Sequence, residues 1–195
     1  MAAGAMERTA ELRWFFRGLA PAAVVAWFEA ATDPPQSRSD GYLVLPDTDA
    51  LGVKIRGGTA LFELKLRPRP PSPLALPGGV SGQLEEWERW SFARPGISRF
   101  FPRLGLPKER WLEVAKRRRL ATIPYRGEAG CRVELTALQV QGQDWSTVGF
   151  EAFGPEPDLV PALQAAAERF FGSLDLPGGL GAELSCGYPG WLATF

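Results

Sequence analysis

Histidine is missing altogether from the 195 residues, and cysteine occurs only twice. Without histidine there is no side chain whose ordinary pKa falls near neutrality, no Ser-His or Cys-His nucleophile system and no His-ligated metal site. Cys131 and Cys186 stand far apart and form no CxxC pair, so no zinc ligand set can be built from them. Two buried free thiols are the expected state, with a disulfide between them as the alternative. Long apolar runs are also missing, so no membrane-spanning helix is expected. The opening MAAGAMERTAELRW lacks the basic-then-apolar order of a secretory signal, and a cytoplasmic location follows as the expectation. Charge of one sign is not in excess either: 22 basic and 22 acidic residues cancel. That balance argues against a nucleic-acid or membrane-surface partner and requires any anion site to be a local cluster.

Proline (18) and glycine (22) are plentiful, which fits short elements joined by many turns. The length predicts one domain over 1–195, with 1–10 as a flexible tail and 68–80 as an extended, exposed Pro-rich connector. ELRWFFRG (11–18) alternates as a strand, with Glu11, Arg13 and Phe15 on one face and Leu12, Trp14 and Phe16 on the other. PAAVVAWFEAA (21–31) reads as a helix, 33–40 as a loop and 40–50 as a strand and turn. SGQLEEWERWSF (81–92) reads as a second helix, with Ser81 as its cap and Trp87 and Trp90 on one packed face. Short helical turns are expected over 94–107 and strands over 110–123, 131–140 and 146–154. A third helix is expected at 158–172, capped by Asp158 and stopped by Gly172, followed by a short packed tail at 185–195.

The most informative stretch is GVKIRGGTALFELKLR (52–67). Gly57-Gly58 signals a two-residue hairpin turn, which would set Arg56 opposite Thr59 and Lys54 opposite Leu61. One face then carries Lys54, Arg56, Glu63, Lys65 and Arg67, and the other is apolar. A sheet with one face in water gives this pattern, and so does a barrel with a charged interior. In the run KRRR (116–119), strand alternation puts Lys116 and Arg118 on one face and Arg117 and Arg119 on the other. Glu63 reads as counter-ion to its cationic neighbours, and Glu134 and Glu151 as carboxylates that pair with a nearby arginine such as Arg132 or hold metal.

In their order, these segments resemble the CYTH superfamily, the triphosphate tunnel metalloenzymes. ELRWF (11–15) stands where that family has an acidic first strand, and VKIR (53–56) and FELKLR (62–67) look like its basic strands. Lys116-Arg117-Arg118 resembles a later Lys-x-Arg pair, VELTAL and GFEAFG its acidic strands, and SCGYPGWL its closing segment. The resemblance implies an α+β fold, an antiparallel β-barrel with flanking helices. It implies a small anionic, phosphorylated ligand held by Lys54, Arg56, Lys65, Arg67, Lys116 and Arg118. It further implies Mg²⁺ or Mn²⁺ on Glu11, Glu134 and Glu151. The chain departs from the family where a second acid and a lysine should follow Glu11, since Arg13 and Phe15 stand there, and where Phe153 replaces a second acid after Glu151. Arg13 is placed to pair with a carboxylate and take the metal's position. The expected function is therefore binding of a triphosphate or other organophosphate in a cationic barrel, with metal-dependent phosphohydrolase activity weak or lost. The alternatives are a non-catalytic module for a small anion and a protein-interaction scaffold.

Overall fold

A computed structural model describes residues 6–57, 61–93 and 110–195. The elements run β1 (Glu7–Arg17), α1 (Ala22–Ala31), β2 (Gln36–Leu43), β3 (Leu51–Arg56), β4 (Leu61–Leu66), β5 (Ser72–Leu76), β6 (Val80–Ala93), β7 (Trp111–Pro124), β8 (Gly130–Val140), β9 (Gln143–Phe153), α2 (Glu156–Gly172) and α3 (Tyr188–Leu192). The strands pair antiparallel in the order β1-β9-β8-β7-β2-β3-β4-β6, and β6 returns to β1. Eight strands thus close an antiparallel barrel, and the expected α+β barrel with flanking helices is what the chain forms. Closure removes the edges that an open sheet of this length would expose. β5 forms a hairpin arm on the first half of β6 through a 3₁₀ turn at 77–79.

The barrel is apolar outside where helices cover it. Leu12, Trp14, Val133, Val148 and Phe150 point outward and meet Leu163, Phe170 and Phe171 of α2 together with Val24 and Phe28 of α1. Trp14 packs edge-on against Phe171 at 5.3 Å, and its indole N–H donates to the Ser81 carbonyl at 2.9 Å. Tethering the outward face of β1 in this way forces Glu11, Arg13 and Phe15 inward, because successive side chains alternate.

A second cluster closes one end of the interior. Phe15 stacks on Trp191 at 4.6 Å and Tyr42 on Tyr188 at 5.3 Å, with Val114, Leu138 and Leu192 around them. The segment before α3 is sewn into the wall: Cys186 N–H donates to the Arg13 carbonyl at 3.1 Å, and Gln83 N–H to Ser185 Oγ at 2.8 Å. Gly187 N–H donates to the buried Glu85 at 3.2 Å. The expected packed tail is therefore the plug of the barrel.

Several sequence expectations are corrected. The stretch 81–92 is strand, not helix, so Trp87 and Trp90 lie on opposite faces: Trp87 is buried, and its N–H donates to Glu85 at 2.9 Å. Long-range pairing to β1 and β4 overrides the local helical spacing. The expected loop 33–40 contains the first half of β2, and strand begins at Glu7, inside the expected tail. Part of the Pro-rich connector is β5. Asp158 lies in the first turn of α2, whose N-cap is Pro155. In the β3–β4 hairpin Arg56 faces Leu61 and Lys54 faces Glu63, a register two residues from the expected one. A shift of two preserves the faces, so the charge sorting survives. Gly58, Thr59 and the stretch 94–107 lie outside the described residues. The two cysteines are free thiols, Cys131 buried and Cys186 partly so.

Candidate functional site

Every strand of the barrel sends charge inward. A cavity of about 330 Å³ lies inside the barrel, with Tyr42 of β2 and Tyr188 of the plug in its wall. Nine cations and four carboxylates line it, an excess of five positive charges among the described residues. Five of the six expected cations are in the wall: Lys54, Arg56, Lys65, Lys116 and Arg118. Arg67 is not in the cavity wall. It pairs with Asp49 at 2.6 Å, reaches Glu85 at 3.9 Å and stacks over Trp87, a structural role beneath the plug. All three expected acids, Glu11, Glu134 and Glu151, face the cavity.

The carboxylates are each taken by cations. Glu134 accepts Arg13 at 2.6 Å and has Arg118 at 3.7 Å. Glu151 is held by Arg132 at 3.2 Å and Arg89 at 3.3 Å, with Lys65 at 3.8 Å. Lys65 also donates to Glu11. Glu63, 2% exposed, bridges Lys54 at 2.5 Å and Arg56 at 2.8 Å, the counter-ion role its position implied. Asp40 is fully buried and binds Lys116 at 3.3 Å and Arg38 at 3.2 Å.

Burial and crowding act on these groups in opposite senses. Burial alone would raise the Glu151 carboxyl, but Lys65 and Arg89 outweigh it and hold it down at about 2. Glu134 and Glu63 likewise sit below the usual carboxylate range, because nearby cations outweigh burial. Lys54 and Lys116 are pushed down to about 8, first by burial and then by neighbouring cations, although Glu63 and Asp40 pull the other way. These two ammonium groups are under-neutralised by the wall itself. Lys116 is further held by β2 and the plug: it donates to the Tyr42 hydroxyl of β2 at 2.5 Å and stands 4.1 Å over the Tyr188 ring of α3.

A divalent metal does not fit the carboxylates. Among the described residues no three Asp, Glu, His or Cys side chains come together as a ligand set. Glu11 and Glu151 are adjacent across β1 and β9, but Lys65 lies between them; Glu134 is separated from both by its pairing with Arg13. No hydrolytic step through Mg²⁺ or Mn²⁺ is therefore derived from this geometry.

Sequence reasoning missed Arg38 and Arg89, which line the cavity, and Asp40, the buried partner of Arg38 and Lys116 behind its wall. Arg89 lay in the stretch read as helix, where Glu86 and Glu88 spoil any polar–apolar alternation. Arg38 and Asp40 lay in the expected loop, although SRSDGY does alternate, with Arg38, Asp40 and Tyr42 on one face. That alternation was the available signal.

No family model matches the chain, and no curated protein matches it. Among solved structures, a chain of the Schizosaccharomyces pombe Mediator head module is similar over 85% of this chain and 91% of its own, at 10% identity and a TM-score of 0.45. A likeness that distant does not bear on activity.

Proposed function

We propose that the barrel interior binds a triphosphate or another organophosphate, with metal-dependent phosphohydrolase activity weak or lost. The observation that carries this reading is the excess of positive charge around one cavity of about 330 Å³: nine cations against four carboxylates in its wall, with the buried Asp40 behind Lys116 and Arg38 as a fifth counter-charge. Buried charge is costly unless compensated, and a polyanion supplies the missing compensation. Arginine forks onto two phosphate oxygens while lysine supplies a compact charge, and the wall offers both. The cavity is at the small end of the range for small-molecule sites. The CYTH resemblance points the same way, and the engagement of all three expected metal ligands by cations supports the loss of turnover.

Calorimetry with inorganic tripolyphosphate and with ATP tests this, with phosphate release measured in the same samples. Arg118→Gln is the informative variant, because Arg118 lines the cavity and its nearest carboxylate is 3.7 Å away, so little is left unpaired by its loss. Wild type should bind with little or no release, and the variant should bind about tenfold more weakly, the equivalent of one charge-assisted contact. Metal-dependent release by wild type would refute the loss of catalysis; equal binding by the variant would move the ligand out of the barrel.

A further inference from the structure

The carboxylates of the cavity are each closed to a metal by a cation, Glu11 and Glu151 by Lys65 and Glu134 by Arg13; Arg13 is the most firmly fixed of these cations. Its side chain is 8% exposed and its guanidinium meets Glu134 at 2.6 Å. The same group donates to Thr147 Oγ1 at 3.4 Å and stands 4.9 Å over the Tyr188 ring. The wall is shaped to admit it: a Cβ at position 149 would come within 2.5 Å of the Arg13 Cζ, so Gly149 is the opposite residue that leaves it room. Three contacts from β8, β9 and α3, in the room that Gly149 leaves, thus fix one cation at the carboxylate it neutralises. Its pKa is raised above the ordinary arginine value despite burial, chiefly by Glu134, so this charge is permanent at any working pH.

A polyphosphate in solution with Mg²⁺ is a metal complex with two fewer negative charges. Mg²⁺ gives up its waters reluctantly and prefers to keep a protein carboxylate or two beside the phosphates. This wall offers it cations instead, and the excess of positive charge attracts the free polyanion more strongly than its complex.

We propose that the cavity takes its polyanion free of divalent metal, with Arg13 as a fixed cation in the wall, so that Mg²⁺ competes with the protein for the ligand. This rests on the anion-binding reading above. It makes the protein selective for uncomplexed polyphosphate-type ligands and makes occupancy fall as free Mg²⁺ rises.

The test is calorimetry of the full chain with inorganic tripolyphosphate at fixed ionic strength, first in EDTA and then with Mg²⁺ in excess of ligand. Affinity should drop by about tenfold or more with Mg²⁺, the equivalent of at least one charge-assisted contact. In Arg13→Gln, binding in EDTA should weaken and the Mg²⁺ penalty should shrink, since Glu134 then becomes available. Binding that is unchanged or tightened by Mg²⁺ overturns this inference and leaves the anion site standing. Binding absent in both buffers overturns the anion site and this inference with it. If Arg13→Gln does not fold, the wild-type comparison alone decides.

Discussion

Replacing Lys54 by methionine should make the protein more stable while weakening its hold on a polyanion. Lys54 is 2.5 Å from Glu63, yet burial, with repulsion from Lys116 and Lys65, pushes its ammonium from the ordinary 10.5 down to about 8. That gap corresponds to about 3 kcal/mol of stability withheld from the native state. The cost is complete below about pH 8, where folded and unfolded chains are both protonated. Between about 8 and 10.5 the unfolded chain holds the proton and the folded one does not, so stability rises with pH and the cost fades. Methionine keeps the length of the side chain and removes the charge. Glu63 is not stranded, because Arg56 remains 2.8 Å away. The expected gain at pH 7 is about 3 kcal/mol, or about 6–12 °C in Tm for a chain of this size. Thermal unfolding followed by circular dichroism at pH 7, 8, 9 and 10 measures it, and the advantage should shrink steadily across that series. Tripolyphosphate affinity should fall about tenfold in the same variant. A variant that melts lower at pH 7, or a gain that does not change with pH, would refute the reasoning.

Two further outcomes follow from the same geometry. Tripolyphosphate affinity of the wild type should be flat below about pH 8 and decline above it, as Lys54 and Lys116 lose their protons in the free protein; calorimetry across pH 6.5 to 10 reads this directly, with a limiting slope of about tenfold per pH unit for each lysine. Gly57→Ala should cost about 2–4 kcal/mol in urea unfolding, because the new Cβ would clash with the Ser39 carbonyl oxygen, a backbone atom of β2 held in the β2–β7 pairing, where no side-chain rotation relieves it.

Much of the barrel is legible in the sequence because a strand has a period of two, and any error of two residues is harmless. The hairpin register was misplaced by two, and Lys54, Arg56, Glu63 and Lys65 still fell on one face. Alternation fails where both faces carry charge. In Glu85–Arg89 the inward Glu85, Trp87 and Arg89 alternate with Glu86 and Glu88, which are polar too, so nothing in the string marks a strand; only its partners β1 and β4 make it one. Closure itself is non-local. Whether the cations face water or one another depends on β6 returning to β1, and that pairing joins residues about eighty positions apart, such as Glu7 and Arg89. The plug is equally remote from its site: Tyr188 reaches Arg13 and Lys116, which no local pattern connects to it.

The interior charges are expensive, and stability does not explain them. Buried ion pairs are often matched or bettered by apolar side chains of similar volume, and this chain has such a core, the aromatic cluster under α2. Eight strands could close around leucine and valine. Instead Glu63 and Asp40, almost wholly buried, are each surrounded by two cations, and two lysines are left part of the way to losing their protons. An interior kept for architecture would pair its charges one to one. An interior kept for an anion would leave cations over, hold them apart with a few carboxylates so that the empty barrel survives, and give up native stability to do so. The second arrangement is the one the anion-binding proposal requires, and under that proposal the stability gained by Lys54→Met is tied to the affinity lost.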